Sequence, residues 1–261
     1  MKKILQIMLC AAIVCGCNAQ QSDSSAQTST DSEAPSEETT LPTDTFTTEK
    51  GRSVAISFIK HGTLMINAGG YAIHIDPVGS YGTDYATLPK ADLILVTHEH
   101  GDHYDADAIA KITKEGTLFL SNGTVAEMSK TSVAMKAGDT KQCAQGITVT
   151  AVPAHNISPD RLKFHPQGRD VGYVLEIDNL RIYIAGDTED IPDLANLKGI
   201  DIAFLPVNQP YTMTPAQCIN AIAMFSPKIV YPYHYGETDL TPIVNHFAGS
   251  KATEVRIRDL Q

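Results

Sequence analysis

Residues 97–105 read Thr-His-Glu-His-Gly-Asp-His-Tyr-Asp, and this stretch brings three imidazoles close to several carboxylates. It follows an apolar run at 91–96, whose length and β-branched content are typical of a buried strand. Apolar residues at helical spacing come after it, over 106–113. The stretch therefore predicts a turn between a strand and a helix, where a rigid element presents polar side chains.

The spacing of these histidines predicts a metal site. In an extended segment, His98 and His100 point to the same side and can bind one cation together. Gly101 permits a sharp turn, after which Asp102 and His103 face another direction and can bind a second cation. Imidazole with carboxylate suits Zn²⁺, which the histidine content favours, and Mn²⁺ or Fe²⁺ would accept the same ligands.

Three later predicted strands are each followed by a further possible ligand. These residues are His155, Asp187 and His234. Each alone has a plainer interpretation, a hydrogen-bonded packing histidine or a turn aspartate. Polar side chains placed where several strands give way to loops nevertheless indicate a site held by a scaffold.

The remaining pattern predicts an α/β fold. A meander of strands is expected at 53–59, 63–67 and 71–76, with Gly69-Gly70 in the second turn. Strands and helices then alternate, including a helix capped by Thr214, with Pro215 at its first position. Two runs of strands with accompanying helices predict two β-sheets packed face to face, with the helices on the outer faces.

The order of H-x-H-x-D-H, His, Asp and His resembles the metallo-β-lactamase superfamily of metal-dependent hydrolases, over nearly all of residues 51–261. The resemblance implies an αββα sandwich of two mixed sheets with a two-metal site at one edge. It assigns the first cation to His98, His100 and His155, the second cation to Asp102, His103 and His234, and the bridging position to Asp187. Asp76 matches an early aspartate of the superfamily that orients ligands from outside the metal shell.

Several motifs resemble the branch that contains ascorbate-6-phosphate lactonase, among them Lys60-His61-Gly62 and Phe164-His165-Pro166. The best-known zinc β-lactamases carry Cys where this chain has Asp187, which argues against β-lactam cleavage as the native task. Flavodiiron proteins carry Glu where this chain has His100, which argues against redox di-iron chemistry. The expected enzyme is a hydrolase.

The predicted reaction is cleavage of an ester-type bond, in a phosphodiester or a lactone, by a hydroxide that bridges two divalent cations. Asp187 would fix the spacing of the cations, and Asp102 would accept a hydrogen bond from the nucleophile. His61 would bind substrate or protonate a leaving group. One alternative is a phospholipase-D-like hydrolase of membrane lipid headgroups, resembling the N-acylphosphatidylethanolamine hydrolases. Another is a non-catalytic lipoprotein that binds a ligand through its metal.

Other polar residues are weaker candidates. A basic segment, residues 156–170, could flank the cleft and bind a phosphate or carboxylate; it contains Arg161, Lys163, His165 and Arg169. Further possible cleft residues are Asn208, Tyr211 and Tyr235. His74 and His246 are expected to serve packing or to lie on the surface.

The first fifty residues are expected to lie outside the fold. Residues 1–17 have a basic start, a short apolar run and a Val-Cys-Gly-Cys sequence that resembles a bacterial lipobox, with Cys17 as the lipidated residue. An ordinary secretory signal is the alternative. Residues 18–50 are rich in Ser, Thr and acids, which predicts a disordered tether. The domain at 51–261 would then be exported and anchored to a membrane, in the periplasm or on the cell surface.

Charge and cysteine content restrict the partners further. A net charge of −10 argues against binding to a nucleic-acid backbone, so a small-molecule or lipid ester is the expected substrate. Cys143 and Cys218 are the two cysteines of the predicted domain, and they could pair in an oxidising compartment.

Overall fold

The computed structural model describes residues 41–261, which form two seven-stranded β-sheets. The first sheet contains β1 to β7 in chain order: Thr43–Thr47, Ser53–Lys60, Thr63–Ala68, Tyr71–Ile75, Leu93–Val96, Leu118–Ser121 and Val133–Ala134. The second contains β8 to β14, also in chain order: Thr140–Ala144, Ile147–Ala154, Asp170–Ile177, Leu180–Ile184, Ile202–Pro206, Ile229–Tyr233 and Glu254–Val255.

Both sheets follow the same plan. In each, the first four strands form an antiparallel meander and the last three strands add in parallel. Parallel neighbours require crossover connections, and helices supply most of them. In the described part of the chain the four α-helices are α1 (Ala106–Ile112), α2 (Gly123–Ser129), α3 (Pro215–Phe225) and α4 (Thr241–Phe247). These two mixed sheets confirm the predicted α/β fold.

The core lies between the sheets. In β5, Leu93 and Leu95 belong to a central cluster that combines buried side chains of both sheets. Ile94 and Val96 point the other way and pack with Ile109 of α1 in a separate cluster. Both faces of β5 are thus buried, which explains why its sequence is a continuous apolar run and not an alternating one.

Local turn and cap signals act as predicted. Thr214 accepts a hydrogen bond from the Gln217 backbone and forms a reciprocal capping box with it at the start of α3. Gly69 and Gly70 adopt φ values of 63° and 94° in the hairpin between β3 and β4. The residues between β10 and β11 also have positive φ, as a tight two-residue hairpin turn requires.

The folded domain begins earlier than residue 51. The predicted tether at 18–50 is wrong for residues 43–47, which pair with β2 as β1. Polar residues surround Phe46, and β1 is an edge strand with a half-exposed pattern, so its sequence carries no alternating apolar signal. The edge strands β7 and β8, which sequence patterns also miss, are mostly exposed for the same reason.

The predicted signal sequence, the lipidation site Cys17 and the tether up to residue 40 lie outside the described residues. Between residues 41 and 261 there is no helix with the length and apolar character needed to cross a bilayer. Cys143 and Cys218 are both free thiols, one half-buried in β8 and the other buried in α3.

Candidate metal centre

Asp76 holds the loop after β5 in place through hydrogen bonds. This fully buried carboxylate accepts hydrogen bonds from the Thr97 backbone N–H and hydroxyl, both at 2.8 Å. It also accepts one from His103 Nδ1 at 2.8 Å, which turns the Nε2 atom of His103 toward the site. The geometry is that of a carboxylate orienting a metal-ligating histidine. The role predicted for Asp76 agrees with this position.

Four side chains from three loops meet in the first group of possible ligands. They are His98, His100, His165 and Asp187. His98 Nε2 lies 3.1 Å from His100 Nδ1, and His165 Nε2 lies 3.2 Å from Asp187 Oδ2. Ligand atoms on one tetrahedral zinc, each about 2.0–2.1 Å from the metal, are about 3.3 Å apart. The spacing therefore fits a shared cation.

His165 takes the position that the sequence analysis assigned to His155, so the prediction for His155 is wrong. The backbone of His155 is held by Thr188, whose hydroxyl accepts from its N–H at 3.1 Å and donates to its carbonyl at 2.9 Å. The imidazole lines a separate cavity of about 780 Å³ together with Arg169 and Asp193. The chain reaches the metal centre only further along the same loop, at His165.

Asp170 explains why His165, and not His155, lies among the possible metal ligands. Its Oδ2 accepts a hydrogen bond from His165 Nδ1 at 3.0 Å, and it sits at the start of β10, buried beneath the loop. This contact turns His165 Nε2 toward Asp187 in the same way that Asp76 orients His103. The sequence signals for this pair were the Phe164-His165-Pro166 motif and a carboxylate five residues after the histidine.

The second group of possible ligands surrounds His234, at the end of β13. Its Nε2 lies 3.2 Å from Asp102 Oδ2 and 3.4 Å from Asp187 Oδ2. His103 Nε2 lies 3.4 Å from the other oxygen of Asp187. Asp187 thus faces both groups, as predicted for a bridging carboxylate. A neighbouring set of possible ligands shares His234 with this one and consists of His61, Asp102 and His234, with His61 Nε2 3.3 Å from Asp102 Oδ2.

Two buried atoms test whether these residues fit metal ions. His103 Nε2 and Asp187 Oδ1 are shielded from solvent, and although they lie 3.4 Å apart, neither forms a well-aligned hydrogen bond with any described residue. Buried polar atoms without partners are costly, and cation binding would satisfy both. Nitrogen and oxygen donors at this spacing are the ligands of Zn²⁺ and its neighbours. The residues therefore fit divalent metal ions.

The electrostatics place negative charge where the cations would bind. Burial opposes ionisation of Asp187, but His234 and His103 hold its pKa well below the usual range. Burial also opposes ionisation of Asp102, yet hydrogen bonds from His234 and His61 lower its pKa. Burial lowers the pKa of His98 far below its ordinary value, which leaves a neutral imidazole. Metal ligands require these protonation states.

A cavity of about 340 Å³ opens above the centre. Its lining includes Phe164 and two of the possible cleft residues, Asn208 and Tyr211, and none of the Lys or Arg residues between 41 and 261. Tyr235 does not line it, because its hydroxyl donates to the Arg258 carbonyl at 2.8 Å within the fold. Tyr235 is therefore a packing residue and not one of the possible cleft residues.

The basic segment at 156–170 is used mainly for internal contacts. Arg161 pairs with Glu189 at 2.7 Å, and Arg169 pairs with Asp170 at 2.6 Å. Lys163 lies over the Phe164 ring. The two arginines are therefore committed to carboxylates and do not form the predicted anion site. Elsewhere, His74 is buried and His246 is exposed, in agreement with their predicted packing and surface roles.

Comparison with known proteins identifies the family. The sequence profile of the β-lactamase superfamily domain matches residues 55–234. This chain belongs to the metallo-β-lactamase superfamily. It is 34% identical over 197 residues to a UPF0173 metal-dependent hydrolase of Thermococcus kodakarensis, covering 70% of this chain and 84% of that protein. A second UPF0173 metal-dependent hydrolase, from Thermus thermophilus, is 34% identical over 194 residues with the same coverage.

Solved structures of this superfamily agree with the assignment. A crystal structure described as a metal-dependent hydrolase from Parabacteroides distasonis is 49% identical and superposes with a TM-score of 0.83, covering 85% of this chain and all of that one. A metallo hydrolase of Ignicoccus hospitalis is 25% identical with a TM-score of 0.66, covering 79% of this chain and 95% of that one. The chain is therefore a metal-dependent hydrolase of this superfamily.

Proposed function

We propose that this hydrolase uses two divalent cations, with Zn²⁺ favoured, to cleave a small ester-type substrate. The observation that carries the proposal is the convergence of His165, Asp187 and His234, from loops of one sheet, on the histidine loop of the other. When bound, the cations would supply Lewis-acid catalysis and an activated water molecule. Asp187 contributes to both ligand groups and would set the distance between them.

Two further features of the cavity define the remaining roles. Asp102 is the most exposed carboxylate of the centre and faces the cavity, so it can accept a proton from an attacking water. Asn208 and Tyr211 offer neutral hydrogen-bond donors to a substrate oxygen. Neutral donors of this kind suit the carbonyl oxygen of a lactone or a neutral ester, and a phosphodiester would be held by the cations themselves.

A substrate panel with matched variants tests this proposal. The Zn²⁺-loaded and Mn²⁺-loaded proteins are assayed against lactones, soluble phosphodiesters and phospholipids, with bound metal measured in parallel. Replacing His100 and Asp187 together by Ala is expected to abolish both turnover and tight metal binding. His246→Ala removes an exposed histidine of α4 and serves as the control. Full activity of the metal-free double variant, or a fully loaded wild type inactive on the whole panel, would contradict the proposal.

One observation favours an apolar-tailed substrate, such as a lipid, as the second candidate. Ile157 and Leu162 are 43% and 45% exposed, on the loop that supplies Phe164 to the cavity. Tyr211, which also lines the cavity, is 45% exposed. Replacing Ile157 and Leu162 by Ser should reduce hydrolysis of long-chain substrates in vesicles and leave soluble short-chain esters unaffected. An equal loss of activity on both kinds of substrate would argue against a lipid substrate.

We also propose that the protein is exported and anchored through lipid on Cys17. The proposal rests on the basic and apolar composition of residues 1–17 and on their lipobox-like end. Cys17→Ser is expected to move the protein from the membrane fraction to the soluble fraction of its host. Continued membrane association of that variant would contradict lipidation at this residue.

A further inference from the structure

His61 lies directly beside the possible ligands of the metal centre. It sits in the connection between β2 and β3, and its Nε2 is 3.3 Å from Asp102 Oδ2. Asp102 Oδ2 is in turn 3.2 Å from His234 Nε2. The imidazole rings of His61 and His234 have their centroids 3.8 Å apart. Three donor atoms from three separate loops therefore surround one point at ligand spacing.

The backbone holds His61 in this place. His61 has a φ of 53°, in the left-handed region that a non-glycine residue rarely adopts, and its carbonyl accepts a hydrogen bond from the His234 N–H at 3.2 Å. Gly62 follows directly, and a Cβ there would lie 2.8 Å from Cε1 of His103. The glycine thus lets the His61 loop pack against a ligand of the second group. Strained backbone of this kind persists where the surroundings enforce it.

We infer that His61 is itself a ligand of the second cation, together with Asp102 and His234. This inference rests on the two-cation site of the proposed function and assigns His61 a different role from that of a proton donor. The outer edge of this triad is formed by Asp102 and His61, whose side chains are 38% and 12% exposed, whereas His234 is 1% exposed. The second cation is therefore held from its outer side by His61.

Competition titrations with a chromophoric chelator test this ligand. Wild type is expected to bind two Zn²⁺ ions. His61→Gln keeps an amide that can donate to Asp102, and His61→Phe keeps a ring that can pack on Tyr81, but neither supplies an imidazole nitrogen. Both variants are expected to bind one Zn²⁺ as wild type does and the other at least tenfold more weakly. The Co²⁺-substituted variants should also show an altered visible absorption for one of their two ions.

Comparing His61→Gln with His61→Phe distinguishes a metal ligand from a residue that only hydrogen-bonds to Asp102. Tyr81→Phe serves as the control for packing around the imidazole and should bind both ions with wild-type affinity. If His61→Gln binds both ions as tightly as wild type while His61→Phe does not, His61 only positions Asp102 and the inference is overturned. Wild-type affinity in both variants overturns it as well. Absence of hydrolysis in a wild type that binds two ions would reject the proposed function and leave this ligand assignment standing.

Discussion

At the scale of single residues, the metal centre depends on which nitrogen of each histidine is free to bind. Asp76 takes up Nδ1 of His103, and Asp170 takes up Nδ1 of His165, so both present Nε2 to the centre. The Thr97 hydroxyl lies 3.0 Å from Nδ1 of His98 and has the same effect there. These partners fix ring orientation, and their loss commonly costs tenfold to a hundredfold in metal affinity.

His165 and His155 provide a direct test of the ligand assignment. His165→Ala is expected to weaken the first cation at least tenfold, because it removes a donor atom of that group. His155→Ala should leave both metal affinities unchanged, because its imidazole lines another cavity. Metal content after dialysis against a weak chelator measures both. Equal loss of metal in the two variants would show that the assignment is incorrect.

His74 predicts a dependence of stability on pH. Its side chain is fully buried, its Nε2 donates to the Pro89 carbonyl, and burial lowers its pKa to about 4. An unfolded chain has a histidine pKa of about 6.5, so the folded state disfavours the proton. The stabilisation of the folded state by neutral His74 is complete above about pH 6.5, and it is lost progressively as the pH falls from there toward 4.

From these two pKa values, the free energy of unfolding should decrease by about 2 kcal/mol as the pH falls from about 8 to 5, because of His74 alone. Urea unfolding of the metal-free protein at the two pH values measures the total change. His74→Gln can keep the hydrogen bond to Pro89 without a titrating proton, and it should lose correspondingly less stability. Identical pH dependence in both proteins would exclude His74 as the cause.

At the scale of elements, β1 shows how an edge strand contributes without an apolar pattern. It pairs with β2 along its whole length, and Phe46 packs against the central core. Asp44 of the same strand accepts hydrogen bonds from Arg258 and Tyr231, near the carboxyl end of the chain. The strand therefore joins two parts of the chain that are far apart in sequence.

Removal of β1 is expected to destabilise the domain. A chain that begins at residue 51 should have an unfolding free energy lower by about 2 kcal/mol than one that begins at residue 41, from the lost burial of Phe46 against the core alone. The midpoints of urea unfolding compare the two chains. Asp44→Asn in the longer chain isolates the contribution of the carboxylate. Equal midpoints for the two truncated chains would show that β1 adds no stability and that the stable domain begins at residue 51.

At the scale of the whole molecule, the two sheets meet at the metal centre. The loop after β5 of the first sheet contributes His98 and His100, and the second sheet contributes His165, Asp187 and His234. Asp187 is buried, and its negative charge is balanced only by neighbouring histidines when metal is absent. Cations at this place would therefore cross-link the two halves of the fold.

Metal removal should consequently lower the stability of the entire domain. A ligand that binds only the native state at a hundred times its Kd adds about 2.7 kcal/mol per site. The Tm is expected to fall on treatment with EDTA and to recover with added Zn²⁺, whereas Asp187→Ala should show neither change. Unfolding that is insensitive to EDTA in the wild type would mean that the cations do not bridge the sheets.

The sequence by itself determined the two-sheet fold, most strands and helices, and six of the seven predicted metal ligands that the fold brings together as possible ligands. These features depend on short-range patterns: apolar periodicity, turn glycines, helix caps and the spacing of histidines after β5. Tertiary structure alone decided between His155 and His165, because both lie on one loop and only the contacts of His165 with Asp170 and Asp187 select it. It also decided the pairing of β1 and the approach of His61 to Asp102 and His234. Contacts between distant segments leave no local pattern, and so they became visible only in the folded chain.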